Sequence, residues 1–368
     1  MRFEIEKKDL EKTLFKAHGI CNSKNITNNI LTNIQIKAES DLIRINSTDR
    51  NISLTSTISA NIQETGSVLV NGKKFYEAIK ELPNNIVIIE RVDNTLTIAC
   101  QKTQFKLFTS DPTLFPELDL QLGESPVVIP ALKLRDILIK TFFCSTETQT
   151  KFGVNGTLLK LQGNKITTVA TDGHRLGLSA ISTDQQYSDN EVVIPRNSLN
   201  EIVKVLTDVD EDIKVHIDEN AIVFATQQDT IKTNLLKKKF PPYGKVIPDE
   251  CPVSLQISTK KIKETLKRLS IFVNENVKIV KFSVEDKILV ATIQSQEHGN
   301  AREVIEIEYE GNNFEIGYNV RLFNEIINHI ESETFTLALN ESLSVSVIRP
   351  GDNKKDEQTL YVLMPNRL

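Results

Sequence analysis

The chain has 368 residues, 39% of them hydrophobic and 25% charged. That length predicts two or three domains, and the composition excludes collagen-like, mucin-like and wholly disordered chains. With 44 Lys and Arg against 49 Asp and Glu, the net charge is -5, so bulk charge announces no nucleic-acid partner.

No apolar run approaches the roughly 18 to 20 residues of a membrane helix, and the segment MRFEIEKKDL carries charges where a signal peptide needs apolar residues. A cytoplasmic protein with no membrane association is the expectation. Cys21, Cys100, Cys144 and Cys251 lie far apart without a C-x-x-C pair, which predicts reduced structural thiols, no metal and no cofactor.

In chain order, FEIEKKDLEKTLFKA (3–17) runs from a short strand into a helix with Leu10 and Leu14 on one stripe. VLVNGKKFYEAIKELP (68–83) repeats that strand-to-helix pattern, and IVIIERVDNTLTIAC (86–100) alternates as strands joined by a turn. QFKLF (104–108) is a further strand, with Phe105 and Leu107 on one face by the two-residue period. After PELDLQLGESP (116–126), read as a linker, VVIPALKLRDILIKTFF (127–143) and VVIPRNSLNEIVKVL (192–206) repeat the pattern, flanking the strand segment 156–172. A second linker, PPYGKVIPDECP (241–252), leads to VSLQISTKKIKETLKRLSIF (253–272), the strands of 280–294, and FEIGYNVRLFNEIINHI (314–330).

The first copies start 124 and 126 residues apart, and the second copies follow them by 65, 65 and 61 residues. Phe115-Pro116, Phe240-Pro241 and Met364-Pro365 keep the same phase. Such self-similarity identifies a repeat architecture. The reading is α+β, with three repeated domains at 1–120, 127–247 and 252–368, each of two helices packed on antiparallel sheet.

The windows 6–17, 72–81, 131–142, 196–206, 259–272 and 319–331 hold 18 basic and 10 acidic residues, which leaves the remainder of the chain strongly acidic. Helices that pack apolar stripes on sheet and turn polar faces one way would give a weakly positive surface. Such a surface suits a polyanion held loosely through sequence-independent phosphate contacts. Solvated lysines are the bland alternative.

VATDGHRLGLS (169–179) and the terminal YVLMPNRL (361–368), supported by 68–83, 192–203 and KKKFPPYGKVIP (237–248), make the chain resemble the bacterial DNA polymerase III beta subunit family, the replicative sliding clamps. The resemblance runs from residue 1 to residue 368. It implies the DNA clamp fold, a ring-shaped head-to-tail homodimer with pseudo-sixfold symmetry, helices inside and sheets outside. Double-stranded DNA would thread the ring without regard to sequence. The protein would be a processivity factor with no catalytic activity of its own, tethering the replicative polymerase subunit, the clamp loader and repair polymerases through short hydrophobic peptides. A repeat-built peptide adaptor that never encircles DNA is the alternative.

Carried over residue by residue, the resemblance implies a partner-peptide pocket at Val154, Thr171, Gly173, His174, Arg175, Leu176, Pro241, Val246, Asn319, Leu322, Val345, Val362, Leu363, Met364, Pro365 and Arg367. It implies DNA contacts at Lys24, Lys73, Thr148, Phe152 and Gly153, with Lys151 and Arg196 as basic neighbours. Ring closure would join Phe105 and Leu107 to Ile271 and Phe272. A hydrolase reading of Asp172, His174 and Ser179 is set aside, because a triad is recognised by spatial roles and no G-x-S-x-G elbow is present. Asp172-Gly173 instead reads as a turn.

Overall fold

The structure is a computed structural model that describes residues 1–22, 29–148, 150, 153–207, 209–274, 277–340 and 344–368. Its described residues form six α-helices, and each follows a strand without a break. α1 is Lys7–Cys21, α2 Gly72–Lys80, α3 Ala131–Phe142, α4 Arg196–Leu206, α5 Thr259–Leu269 and α6 Val320–Asn328. The strand-to-helix repeat expected from the spacing is thus present six times.

The junctions are built by local chemistry. Asn71, Ser258 and Asn319 end their strands in extended or near-extended backbone and serve as N-caps. Asn71 Oδ1 accepts from the Lys74 N–H at 3.0 Å, and Asn319 Oδ1 accepts from the N–H groups of Arg321 and Leu322. Such caps satisfy amide groups that the first helical turn leaves without partners. α5 stops at Leu269, where the sequence pattern suggested continuation to 272. Ser270–Phe272 instead forms a short 3-10 turn.

The chain divides into two compact units, Met1–Arg135 with Asn197–Leu236, and Asp136–Arg196 with Lys237–Leu368. In the first unit, thirteen antiparallel strands form one hydrogen-bonded series. The strand Asp229–Asn234 joins Ile52–Ser59 in it, pairing Ile231 with Leu54. α1 lies on Leu42–Thr48 and Ile52–Ser59 and buries Leu10, Leu14 and Ala17 completely. From the same helix Lys16 reaches Asp229 at 2.5 Å, both side chains being buried, and Ser56 Oγ donates to the second carboxylate oxygen. Thr103–Ser110 pairs along its length with Thr95–Cys100, but among the described residues only Thr109 and Ser110 pair on its other side.

The second unit holds a six-stranded sheet and a four-stranded sheet, both antiparallel. Gly156–Thr171 and Arg175–Pro195 form a long hairpin, and the terminal strand Glu357–Leu363 pairs with the latter. Phe323 and Ile326 of α6 join Phe282, Tyr318 and Leu337 of the strands in one buried core. Gly299–Glu306 is an outer strand of the four-stranded sheet.

Candidate functional site: an apolar groove beside the 172–174 turn

Asp172 organises the tight turn of the hairpin. Its Oδ1 accepts from the N–H groups of His174 and Arg175 at 2.9 and 3.0 Å, while Oδ2 accepts from Arg175 Nε at 3.0 Å. Thr171 Oγ1 donates to the Arg175 carbonyl and accepts from the Gly173 N–H. Gly173 has φ +90°, a left-handed conformation that a side chain would disfavour. Asp172 is therefore a turn-building residue, as its sequence context predicted.

The terminal strand locks onto this turn. Leu363 pairs with Arg175 and Val362 with Leu176, and the Met364 N–H donates to the His174 carbonyl at 3.0 Å. Beyond the strand, the Asn366 N–H donates to the Gly317 carbonyl at 2.8 Å. The apolar terminus is thereby held by main-chain bonds rather than left frayed.

A cavity of about 280 Å³ opens here. Thr171, Gly173, Arg175, Leu176, Val362 and Met364 form its hairpin and terminal-strand side, while Pro241, Pro242, Tyr243 and Val246 form the other. Eight of these ten were expected from the sequence. Pro242 and Tyr243 were not, although the aromatic and proline run FPPY inside an otherwise polar linker was the available signal. Tyr243 meets Phe240 edge-on at 6.2 Å, and burial, aided by Glu191, pushes its hydroxyl above the usual tyrosine pKa.

The remaining expected pocket residues lie outside this lining. Val154 is buried and donates its N–H to the Thr171 carbonyl, bracing the turn from behind. Asn319 caps α6, Leu322 packs against the core, and Leu363 is fully buried within it. Val345 is half-buried and bonded to Asn340 through its main chain. His174 and Arg367 are exposed, and Pro365 is half-buried.

Arg175 is 6% exposed and spans several elements. Its Nη2 donates to the Phe143 carbonyl at 3.0 Å and lies 2.6 Å from Glu325 Oε2, with the guanidinium 5.2 Å above the Phe143 ring. The Cys144 thiol nearby is pushed well above its ordinary pKa by burial. The groove can seat apolar side chains beside fixed polar atoms, the usual composition of a ligand site.

Of the residues assigned to DNA, Lys73 is exposed on the first turn of α2, and Thr148 is exposed with its carbonyl accepting from Thr146 Oγ1. Gly153 is buried, donating its N–H to Thr150 Oγ1 at 2.8 Å. Lys24, Phe152 and neighbouring Lys151 lie outside the described residues. Arg196 is occupied at the end of α3, where Nη1 donates to the carbonyls of Phe142, Phe143 and Ser145. For ring closure, Phe105 and Leu107 are half-buried opposite Ile98 and Leu96, whereas Phe108, on the other face, is 91% exposed. Ile271 is 78% exposed, and Phe272 packs partly against the core.

Among the described residues, no group of three His, Cys, Asp or Glu side chains is arranged to hold a metal, and no helix is long and apolar enough to cross a membrane.

Six strand-fed helices on antiparallel sheets, with an apolar groove at the terminal strand, define a DNA clamp. Three family models match in succession: the DNA polymerase III beta subunit N-terminal domain over residues 1–119, its central domain over 128–242 and its C-terminal domain over 244–367. The chain belongs to the DNA polymerase III beta subunit family, a family of DNA sliding clamps. It is 27% identical to the beta sliding clamp of Haemophilus influenzae over 372 residues and 25% identical to that of Escherichia coli over 370, covering 100% of each chain. The solved structure of the Pseudomonas aeruginosa DNA polymerase III subunit beta sliding clamp bound to griselimycin superposes with a TM-score of 0.89 at 26% identity, covering 100% of both chains.

Proposed function

We propose that this clamp acts as a head-to-tail homodimeric ring of six domains, three per chain at 1–120, 127–247 and 252–368, threaded by duplex DNA. The family-model spans support that division. The observation that carries ring formation is a pair of bare strand edges. Thr103–Phe108 has a sheet neighbour on one side only among the described residues, and Gly299–Glu306 lies at the margin of its sheet. Exposed Phe108 and Val304 sit on these strands, and exposed Ile271 sits on the turn after α5. Exposed strand edges invite pairing, and joining them in a second copy would hide both.

Retention on DNA is then topological. The helix faces need supply only weak, phosphate-directed contact, which permits sliding. Partners dock at the apolar groove through short hydrophobic peptides. Burial of two or three apolar side chains, each worth about 1.5 to 3 kcal/mol, supports micromolar binding. A tethered polymerase rebinds its template as an effectively intramolecular step. The P. aeruginosa relative's capture with griselimycin supports ligand acceptance by this fold.

The protein itself performs no chemistry on this reading. Asp172 is committed to its turn, Ser179 is buried with its Oγ 2.8 Å from Thr359 Oγ1, and His174 is exposed. The place of action is the cytoplasm, where the replicating DNA lies.

Protein loaded on nicked circular DNA should survive gel filtration on the circle and dissociate once the circle is linearised. Equal retention on both forms would exclude encirclement and favour the peptide adaptor.

A further inference from the structure

α1, α2 and α4 meet in the first unit around an aromatic cluster. Phe15, midway along α1, is 44% exposed. Its ring centroid lies 5.8 Å from that of His18 and 6.2 Å from that of Tyr76 on α2. His18 stacks on Tyr76 at 4.0 Å with the planes 12° apart. From α4, Lys204 Nζ sits 5.2 Å from the Phe15 ring centre.

Helix packing alone does not account for the open face of Phe15. Leu10, Leu14 and Ala17 on α1 and Phe75 and Ile79 on α2 are completely buried and already anchor both helices. Burial also holds the His18 pKa below its ordinary value. The nearest carboxylates are each matched by a lysine: Glu77 lies 2.9 Å from Lys74, and Glu201 lies 2.8 Å from Lys204. Lys73 adds an exposed cation on the first turn of α2. An apolar aromatic face bordered by ammonium groups complements a sugar-phosphate backbone, whose phosphates attract lysine while its sugars offer apolar surface.

We propose that Phe15, His18 and Tyr76 form an aromatic contact surface for the deoxyribose edge of duplex DNA. It gives the clamp a component of DNA contact that salt does not weaken. This deepens the ring reading and rests on its inward placement of the helices. Lysine contacts release counterions and lose strength as salt rises, whereas ring-to-sugar contact lacks that dependence.

The test places the photoreactive residue p-benzoylphenylalanine at position 15, and separately at position 73, in the full-length protein loaded on nicked circular duplex. Irradiation is expected to crosslink both positions to DNA. A crosslink at 73 without one at 15 overturns the aromatic contact and leaves the ring standing. Loss of circle-specific retention in the unsubstituted protein overturns the ring reading itself. In equilibrium binding to a linear duplex, Phe15→Ala is expected to weaken affinity about three- to tenfold, as loss of a few tens of Å² of apolar contact would, with an unchanged slope of log affinity against log salt. Lys73→Ala should instead lower that slope by about 1. Phe15→Leu preserves apolar packing and separates recognition from folding. At unchanged thermal stability it should lose affinity as the alanine variant does, and full binding by Phe15→Leu would overturn the proposal.

Discussion

Arg175 and Glu325 meet at 2.6 Å, Nη2 to Oε2, and so tie the 172–174 turn to α6. The same buried guanidinium holds Asp172 and the Phe143 carbonyl, while its Nη1 has no hydrogen-bond partner among the described residues. Removing one partner of such a network leaves the others without compensation. Arg175→Ala is expected to cost about 3 kcal/mol of stability and to abolish measurable peptide binding. Arg175→Lys, which keeps the charge but loses the planar fork, should recover only part of either. Urea unfolding and calorimetric titration with a short apolar peptide would check both, and wild-type behaviour of the lysine variant would contradict the fork's role.

The terminal segment is held against Gly317, where an added Cβ would approach Leu368 Cδ2 to 2.9 Å and the Asn366 carbonyl oxygen to 3.1 Å. Gly317→Ala should therefore loosen the tail and weaken peptide binding while leaving self-association intact. Deleting Met364 to Leu368 should have the same pattern more strongly, with loss of polymerase stimulation on a primed circle. A shift of either variant to monomer in sedimentation would move the site away from this groove.

At the bare edges, Ile271 is exposed in the single copy, so Ile271→Ala should leave its thermal unfolding unchanged. Burying it at each of the two seams of the ring is worth about 1.5 to 3 kcal/mol, which over both seams predicts roughly a hundredfold to ten-thousandfold weaker association. Phe272→Ala should weaken association too, but also destabilise the fold, since Phe272 touches the core. Unchanged sedimentation of Ile271→Ala at low concentration would exclude this face.

Glu201 supplies a pH test. Burial raises its carboxyl pKa above the ordinary range despite Lys204. Between the unfolded value, about 4.3, and the raised folded value, the native state binds the proton more tightly than the unfolded chain. Stability contributed by the protonated form is thus present at lower pH, falls as pH rises through that window, and stays reduced at neutrality. Glu201→Gln should stabilise the protein at pH 7 and flatten this slope in urea titrations taken across the acidic range. A neutral-pH loss of stability would mean that the Lys204 attraction outweighs desolvation.

Helices were legible because each begins at a strand end, carries an apolar stripe and recurs at a fixed interval. Asn71 and Asn319 show why the second copies start where they do, since both cap helices. The groove was half legible. Strand period two separates Val362 and Met364, which line it, from Leu363, which enters the core, but the family resemblance placed all three together. Pro242 and Tyr243 were concealed by the linker reading of their segment. The exposure of Phe108 depends on which face of Thr103–Ser110 the rest of the fold covers, a tertiary matter that its alternating pattern leaves open.

The union of Ile52–Ser59 with Asp229–Asn234 has a consequence for biosynthesis. While the nascent chain is still leaving the ribosome, the earlier strand must wait for more than a third of the polypeptide before its outer hydrogen bonds are met. That interval presents a sticky margin to neighbouring chains, so translation pauses before residue 234 should favour misassembly, and chaperone demand should concentrate there.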